Sequence, residues 1–516
     1  MKLDAVGLEV MAHAFASVAE EMGLVLVRSA LSPNIRERRD CSAALFDASG
    51  EMIAQAAHIP VHLGALTDAV AAIRALSPAA GGGEVFILND PYAGGSHLPD
   101  VTLVETIAVE GALAGYSVVR AHHSDVGGVE PGSMPAGART LEEEGIVLPP
   151  TRLTPDVERA FLARVRTPDV RRGDLAAQRA ATAKGVEGMF ALVARYGWPA
   201  VRAAVRDLIG YAARRTRAAL ARIPATGLAA TDWLEGDGVD EGDIPITVRV
   251  DIRDGAFHAD FAGTAPAVRG NVNCPLAVTR SAVLFVVRTL LPADIPTNAG
   301  VQRAVHVAAP AGCLVNARYP SAVAAGNVET SQRIADTVFL ALAGGGLAVP
   351  AQGQGTMNNV TLGDEGRGTG EGWTYYETIG GGQGASRGAN GASAVHVGMS
   401  NTRNTPVEVL ELELPLRVRS YAVRKGSGGA GRWVGGDGVV REFEALAPME
   451  ANIVTERRRH TPSGAAGGGP GAPGRNALNG AVQGPKVRAR LAPGDVLRIE
   501  TPGGGGWGEP LTGGGR

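Results

Sequence analysis

Leu88-Asn-Asp-Pro-Tyr-Ala-Gly-Gly-Ser-His-Leu-Pro-Asp100 decides the reading of this chain, and Arg120-Ala-His-His-Ser-Asp-Val-Gly-Gly128 answers it. Each stretch follows an apolar run of strand type, Val85–Leu88 and Tyr116–Val119. Each then breaks into the Gly, Pro and Asp of a turn. Three of the ten histidines (His97, His122, His123) stand here among Asp90, Asp100 and Asp125. Polar, ligand-type side chains at the ends of buried strands are where α/β proteins place their chemistry. The pair of stretches therefore reads as a metal site on strand ends.

Working outward, a chain of 516 residues is too long for one ordinary core and divides into about two to four domains. A net charge of −3 with 20% charged residues suggests neither nucleic acid nor an anionic membrane as partner. The 72 glycines are about twice the usual share of roughly 7%. They cluster in loops without a period, which predicts many tight turns and no fibrous repeat. Cys41, Cys274 and Cys313 stand far apart, so a zinc ribbon or disulfide scaffold is excluded and a reducing compartment fits. Asp4 and Glu9 stand where a signal peptide would be basic and then apolar. No run approaches the ~18 apolar residues of a membrane span, and a cytoplasmic location is expected.

Val6, Val10, Phe15, Val18, Met22 and Leu26 recur at helical spacing, predicting a long amphipathic helix over residues 3–31. Strands follow at Ser42–Phe46 and between Met52 and Val61, where His58 and His62 flank Pro60. A helix is expected over 65–76. Residues 167–223 read as two helical blocks split at Gly197–Pro199, and Ile246–Thr264 as a hairpin turning at Asp254-Gly255. Helices are also expected over Pro275–Leu291 and Val328–Ala343. Beyond Pro406, Val407, Val409, Leu412 and Leu414, then Leu416 and Val418, read as strands. The expectation is a mixed α/β (α+β), multidomain fold. Its parts are an α/β metal-site domain over 1–230, a central α/β domain with Gly-rich loops over 231–405, and a β-rich domain over 406–516.

A divalent ion asks for two or three imidazoles with a carboxylate, and His97 with His122 or His123 supplies the nitrogens. On an extended segment neighbouring side chains point to opposite faces. His122 is therefore taken as the ligand and His123 as its neighbour. Asp90, Asp100 and Asp125 are candidates to orient ligands or act as a base, and each equally suits a turn. Gly380–Gly388 could form a nest of N–H groups for an oxyanion, through Gly381 and Gly382 with Arg387 as cation, or be a plain connector. Asp125-Val-Gly-Gly128 looks like the phosphate-binding Asp-x-Gly-Gly of actin-like ATPases, but Glu130 would repel phosphate. No G-x-x-x-x-G-K-[ST] occurs, so this chain is not expected to bind ATP itself. Cys41 reads as a small buried residue rather than a nucleophile.

Asn34–Ser42, Asn89–Asp100, His122–Gly128, Ser133–Gly137, Gly173–Ala177, Asn271–Ser281, Pro296–Gly300, Gly326–Arg333, Glu377–Gly388 and Asn401–Pro406, in that order, resemble the hydantoinase B / 5-oxoprolinase family. That family includes N-methylhydantoinase beta subunits, the C-terminal half of 5-oxoprolinases and acetone-type carboxylase large subunits. The resemblance implies a B-type subunit working with a hydantoinase A-type, ATP-using partner on a hydantoin, 5-oxoproline or another lactam. It also places Asp40 at one divalent metal (Zn, Mn or Fe) beside His97 and His122. His123 and Asp125 are the expected catalytic groups. The alternatives are a ketone carboxylase subunit and a non-catalytic scaffold.

Overall fold

The computed structural model describes residues 4–57, 59–78, 81–365 and 372–510; His58 lies outside them. Helix α1 (Ala5–Ser29) opens the fold, its first turn capped by Asp4 Oδ1 on the N–H of Gly7 at 2.7 Å. Among the described helices it is long and apolar enough to cross a membrane by length and composition. From the expected stripe, Phe15, Val18, Met22 and Leu26 are instead buried in the protein together with Met11, whereas Val6 and Val10 are exposed.

The short helix α2 (Pro33–Arg36) leads into β1 (Cys41–Asp47), β2 (Met52–Ala57), α3 (His62–Leu76), β3 (Val85–Leu88), β4 (Asp100–Val109), β5 (Ala112–His122), α4 (Leu141–Glu144) and β6 (Thr151–Arg152). These strands form one antiparallel sheet in the order β2-β1-β5-β4-β3-β6. Helices α5 (Pro155–Leu162), α6 (Pro168–Tyr196) and α7 (Trp198–Leu220) follow. The expected break between the last two falls at Gly197, whose φ of +80° favours glycine. One face of the sheet (Cys41, Ala43, Leu45, Val119, Ala121) packs with α1, α6 and α7. The other (Ala44, Phe46, Val104, Val118) packs on α3. Period-two alternation thus sends neighbouring strand residues to opposite faces, and at the β3–β4 end Ile87, Val101 and Leu103 pack instead with Val126, Ile146 and Phe161.

The second sheet, β10-β9-β8-β7, is built from β7 (Ala225–Glu235), β8 (Asp243–Arg253), β9 (Ala256–Asp260) and β10 (Val305–Ala308). Its β8–β9 hairpin turns at Asp254 and Gly255 (φ +55° and +68°), as their sequence suggests. Residue 230 falls inside β7. Helices α8 (Leu276–Leu290), α9 (Ala299–Gln302) and α10 (Ser331–Gly344) share a core with this sheet, and a π-helical turn (Gly326–Thr330) leads into α10.

The last third holds β11 (Asn359–Asp364), β12 (Trp373–Glu377), α11 (Val407–Glu413), β13 (Leu416–Arg424), β14 (Gly438–Ala445), β15 (Met449–Val454), β16 (Arg475–Leu478), β17 (Ala481–Gln483), β18 (Lys486–Leu491) and β19 (Val496–Glu500). They make two sheets, β12-β11-β15-β18 and β13-β14-β19-β16-β17. The C-terminal region is strand-rich, and the first of these sheets joins strands from both sides of position 405. Val407–Glu413, read from sequence as a strand, is a helix. Its apolar residues bury only Leu410 and leave Leu412 87% exposed, so no alternating face was there to pair.

Many glycines do sit in turns with positive φ, among them Gly50, Gly111, Gly255 and Gly480, but others are close contacts between backbones. Gly436 N–H donates to Gln383 O at 2.9 Å, Gly504 N–H to Gly436 O at 2.9 Å and Gly429 N–H to Gly504 O at 2.8 Å. A Cβ on Gly504 would sit 2.1 Å from Gln383 O. These segments lie backbone on backbone, where no side chain fits.

Candidate metal centre

Three adjacent strands end together. Asp100 opens β4 and pairs in register with His122, the last residue of β5. Asp40 immediately precedes β1, and its carbonyl accepts the N–H of His122 at 3.0 Å. His97 arrives from the β3–β4 loop, which Asn89 braces by donating to Leu98 O (2.8 Å) and Ile146 O (2.9 Å). Among the described residues, His97, Asp100 and His122 form the one group whose ligand-type atoms all lie within 4.8 Å of one another. All three are buried.

The test of fit is what those atoms lack. His97 Nε2, His122 Nε2 and Asp100 Oδ1 are buried without a hydrogen-bond partner, a state that is costly unless another group completes it. The opposite atoms are engaged. His97 Nδ1 lies 3.3 Å from Ala324 O, and donating there leaves the Nε2 lone pair bare. Asp100 Oδ2 accepts from Ser96 Oγ at 2.5 Å and Asn327 Nδ2 at 3.3 Å, and stands 3.3 Å from His62 Nε2. The His122 ring stacks on Tyr376, centroids 4.6 Å apart and planes within 10°. Asn34 Nδ2 reaches both His122 Nδ1 (3.0 Å) and His122 O (2.8 Å). His97 Nε2 and Asp100 Oδ1 stand 3.3 Å from each other, so the two imidazoles and the carboxylate turn their ligand atoms toward one point, a donor set that suits a divalent ion.

Beside them lies a cavity of about 20 Å³, lined among others by Asp40, His62, Asp100, His122, Asn327 and Tyr376. That is room for about one water molecule. Burial, and then the Asp100 carboxylate, push Asp40 up to about 6. Burial acts on Asp100 in the same sense, but the His97 and His62 rings outweigh it and hold it well below the usual carboxylate range. Burial, and then His97, keep His122 well below the ordinary imidazole range, so it is neutral. The two carboxyl groups thus differ: Asp100 is a permanent anion, while Asp40 exchanges a proton near neutrality.

The other expected residues lie elsewhere. His123 turns to the opposite face of the sheet, where its Nε2 meets Gln178 Oε1 of α6 at 2.9 Å and its ring stands edge-on to Phe161. Period two, which selects His122, also carries His123 away from the cavity. Asp125 accepts from the N–H groups of Gly127 (2.8 Å) and Gly132 (3.0 Å) and from Arg166 Nη1 (3.0 Å), which makes it the clamp of its own loop. Asp90 accepts from Tyr92 N–H at 2.9 Å, a turn. The nest expected at Gly381 and Gly382 has no free donors there. Their N–H groups go to Val395 O (2.9 Å) and Pro502 O (3.0 Å), and Arg387 is exposed. Burial, then Asp40, push the Cys41 thiol up, in keeping with a packing role.

Sequence reasoning missed His62, whose Nδ1 meets Ser42 Oγ at 2.9 Å while its Nε2 faces Asp100. The available signal was Pro60, two residues before a helix that begins with the imidazole. It also missed Tyr376, while Asn327 lies in Gly326–Arg333, a stretch whose mixed polar groups suit either part of a pocket or the cap of a helix, and does line the cavity. Both approach from sequence more than 200 residues away.

A mixed helix-and-sheet, multidomain protein with a His/carboxylate cluster at its strand ends is the class that fold and site define. The chain belongs to the hydantoinase B/oxoprolinase family, whose sequence profile matches residues 4–510. It is 37% identical to 5-oxoprolinase 1 of Arabidopsis thaliana over 548 residues, covering 98% of this chain and 42% of that protein. It is 30% identical to a putative B-type subunit of a D-/L-hydantoinase from a Pseudomonas strain, covering 99% and 91% of the two chains. The crystal structure of the ATP-dependent caprolactamase from Pseudomonas jessenii matches with a TM-score of 0.90 at 29% identity, over 99% of this chain and 93% of that one. The chain therefore spans about two fifths of the plant 5-oxoprolinase.

Proposed function

We propose that this chain carries out the hydrolytic half of an ATP-dependent opening of a cyclic amide, as the B-type subunit with an ATP-using, hydantoinase A-type partner. The observation that carries the reading is the convergence of three buried ligand-type atoms that make no hydrogen bond, His97 Nε2, Asp100 Oδ1 and His122 Nε2. They lie in a family whose relatives are named for hydantoin, oxoproline and caprolactam chemistry. These three residues would hold the divalent ion, with Zn, Mn and Fe as candidates. When bound, the ion would polarise the carbonyl oxygen of the amide as a Lewis acid.

The chain's own groups supply the rest. Asp40 borders the water-sized cavity and, with its carboxyl at about 6, is ionised at neutral pH and matched to accept a proton from attacking water. Asp100, fixed by Ser96, Asn327 and His62, balances the charge gathered at the centre. An unstrained lactam carbonyl is a poor electrophile, and activation by ATP on the partner would make its oxygen a better leaving group. Water then adds to the O-phosphorylated carbonyl carbon, Asp40 takes its proton, and the ring C–N bond breaks with a proton passing to nitrogen. A second water cleaves the acyl phosphate left behind to carboxylate and inorganic phosphate. ATP is assigned to the partner because this sequence has no phosphate loop, and Asp125 is committed to its own turn.

Elemental analysis of wild type beside His97→Ala tests the centre, with close to one equivalent expected in the first and loss in the second. Equal metal in both removes His97. A wild type that takes up no divalent ion favours the scaffold alternative. A lactam panel assayed with the partner, reading ATP consumed against amide cleaved, tests the activity. Bicarbonate and a ketone in place of the lactam test carboxylation.

A further inference from the structure

Glu144, the last residue of α4, is fully buried, has no cation partner among the described residues and lines no cavity at the centre. Its two carboxylate oxygens divide between consecutive backbone donors. Val323 N–H reaches Oε2 at 3.0 Å and Ala324 N–H reaches Oε1 at 2.8 Å. Burial pushes this carboxyl up to about 8 and the two N–H groups act against it; with both oxygens accepting, the anion is the form the geometry fits. Helical structure begins at Ala324 and runs through the π turn into α10. The first N–H groups of a helix have no partner within it, and a carboxylate placed there gains from both hydrogen bonds and the helix dipole. Glu144 is thus an N-terminal cap delivered from a distant part of the chain.

The segment it caps touches the centre twice. The carbonyl of Ala324, whose own N–H Glu144 holds, accepts from His97 Nδ1 at 3.3 Å. One turn on, Asn327 Nδ2 donates to Asp100 Oδ2 at 3.3 Å. The two stretches are also docked at Leu141 N–H to Pro320 O, 3.0 Å. Directly after Glu144 the chain turns sharply at Gly145 (φ +149°), where a Cβ would meet Val126 O at 2.9 Å. Both ends of the clamp are therefore fixed. We propose that Glu144 is a positioning residue for the metal centre: by holding the Val323–Ala324 backbone it aims one ligand, His97, and steadies another, Asp100.

This rests on the metal reading of the site, and the experiment separates the two. Zn²⁺ and Mn²⁺ are titrated into the metal-free full chain in competition with a chromogenic chelator, for wild type, Glu144→Gln and Glu142→Gln. The glutamine keeps one acceptor but turns an N–H₂ group toward the second backbone donor. Outer-sphere changes of this kind cost about 10- to 100-fold in metal affinity, and that loss is expected for Glu144→Gln with its metal-free circular dichroism unchanged. Glu142→Gln, at an exposed neighbour, should bind as wild type does. Wild-type affinity in Glu144→Gln overturns the proposal. So does a Glu144→Gln chain that is unfolded without metal and not rescued by saturating Zn²⁺, because a purely structural clamp behaves that way. A wild type that binds neither ion overturns the metal centre itself, which is a different result.

Discussion

Asp40→Asn should stabilise the metal-free protein at neutral pH while disabling it. The Asp40 carboxyl is pushed from 3.8 to about 6, first by burial and then by Asp100. The folded state therefore holds this proton more tightly than the unfolded chain does. Below about pH 4 both states are protonated and nothing is lost. As pH rises the unfolded chain ionises first, so stability falls until the folded carboxyl has ionised as well, above about pH 6. At about 1.4 kcal/mol per pH unit, the gap between 3.8 and about 6 amounts to about 3 kcal/mol. An asparagine avoids that loss and can still accept from Asn34 Nδ2, which lies 3.5 Å from Asp40 Oδ2. Asp100 adds no slope in this window, because its carboxyl is held well below the usual range and titrates only under more acid conditions. The assay is urea unfolding of both proteins in chelator from pH 4 to 8, followed by hydrogen exchange of the β1 and β5 amides so that the N-terminal sheet is read by itself. The stability difference should open from near zero at pH 4 to about 3 kcal/mol at pH 7 in favour of the variant. Parallel curves, or a variant less stable at pH 7, would refute the assignment of Asp40 as a buried, proton-exchanging carboxyl.

Gly504→Ala should lower the thermal midpoint sharply, since its Cβ would lie 2.1 Å from Gln383 O and overpacking against backbone costs about 1–3 kcal/mol or more; an unchanged midpoint would show the glycine layer to be loose. Asp174→Ala frees the N–H groups of Leu31 and Ser32 (3.0 and 2.9 Å) and strands the buried Arg171. Its expected loss, read by denaturant unfolding, is about 3–5 kcal/mol. His123→Ala should cost about 2 kcal/mol through the lost Gln178 bond and Phe161 contact. Metal content by elemental analysis should stay at the wild-type level, and a variant that loses metal would return His123 to the centre.

Much of the fold was legible because local signals agreed with the tertiary answer. The α1 stripe, the split at Gly197 and the Asp254-Gly255 turn each require only a few neighbouring residues to be read. Val407–Glu413 failed because its apolar residues alternate only loosely, and a helix that buries Leu410 alone leaves almost no periodic signal. The glycines were read only in part, as turns, for a related reason. A turn glycine and a glycine pressed against another backbone look the same in sequence. The difference lies in the segment opposite: Gln383, Gly436 and Gly504 meet from three separate stretches.

The centre shows where local reading stops. His97 and His122 stand out in the sequence because imidazoles next to turn residues at strand ends are unusual, alternation alone chose between His122 and His123, and the fold brings the chosen pair together with Asp100. The same alternation also answers the question of role. A side chain on the far face of a buried sheet shares no cavity with its neighbour, so adjacency in sequence was the wrong ground for giving His123 a proton to move. Asp100 and Asp40 exchange emphasis on similar grounds. Register places Asp100 opposite His122, which makes it the converging carboxylate, and leaves Asp40 at the mouth of β1 with the displaced ionisation. Neither fact is visible until strand pairing is known, because two carboxylates of equal intrinsic acidity separate only through what each is buried against. Tyr376, Asn327 and Glu144 complete the argument. Tyr376 stacks on His122, Asn327 donates to Asp100, and Glu144 holds the N–H of Ala324, whose carbonyl meets His97; residue type does not announce such contacts and only the assembled fold brings them together.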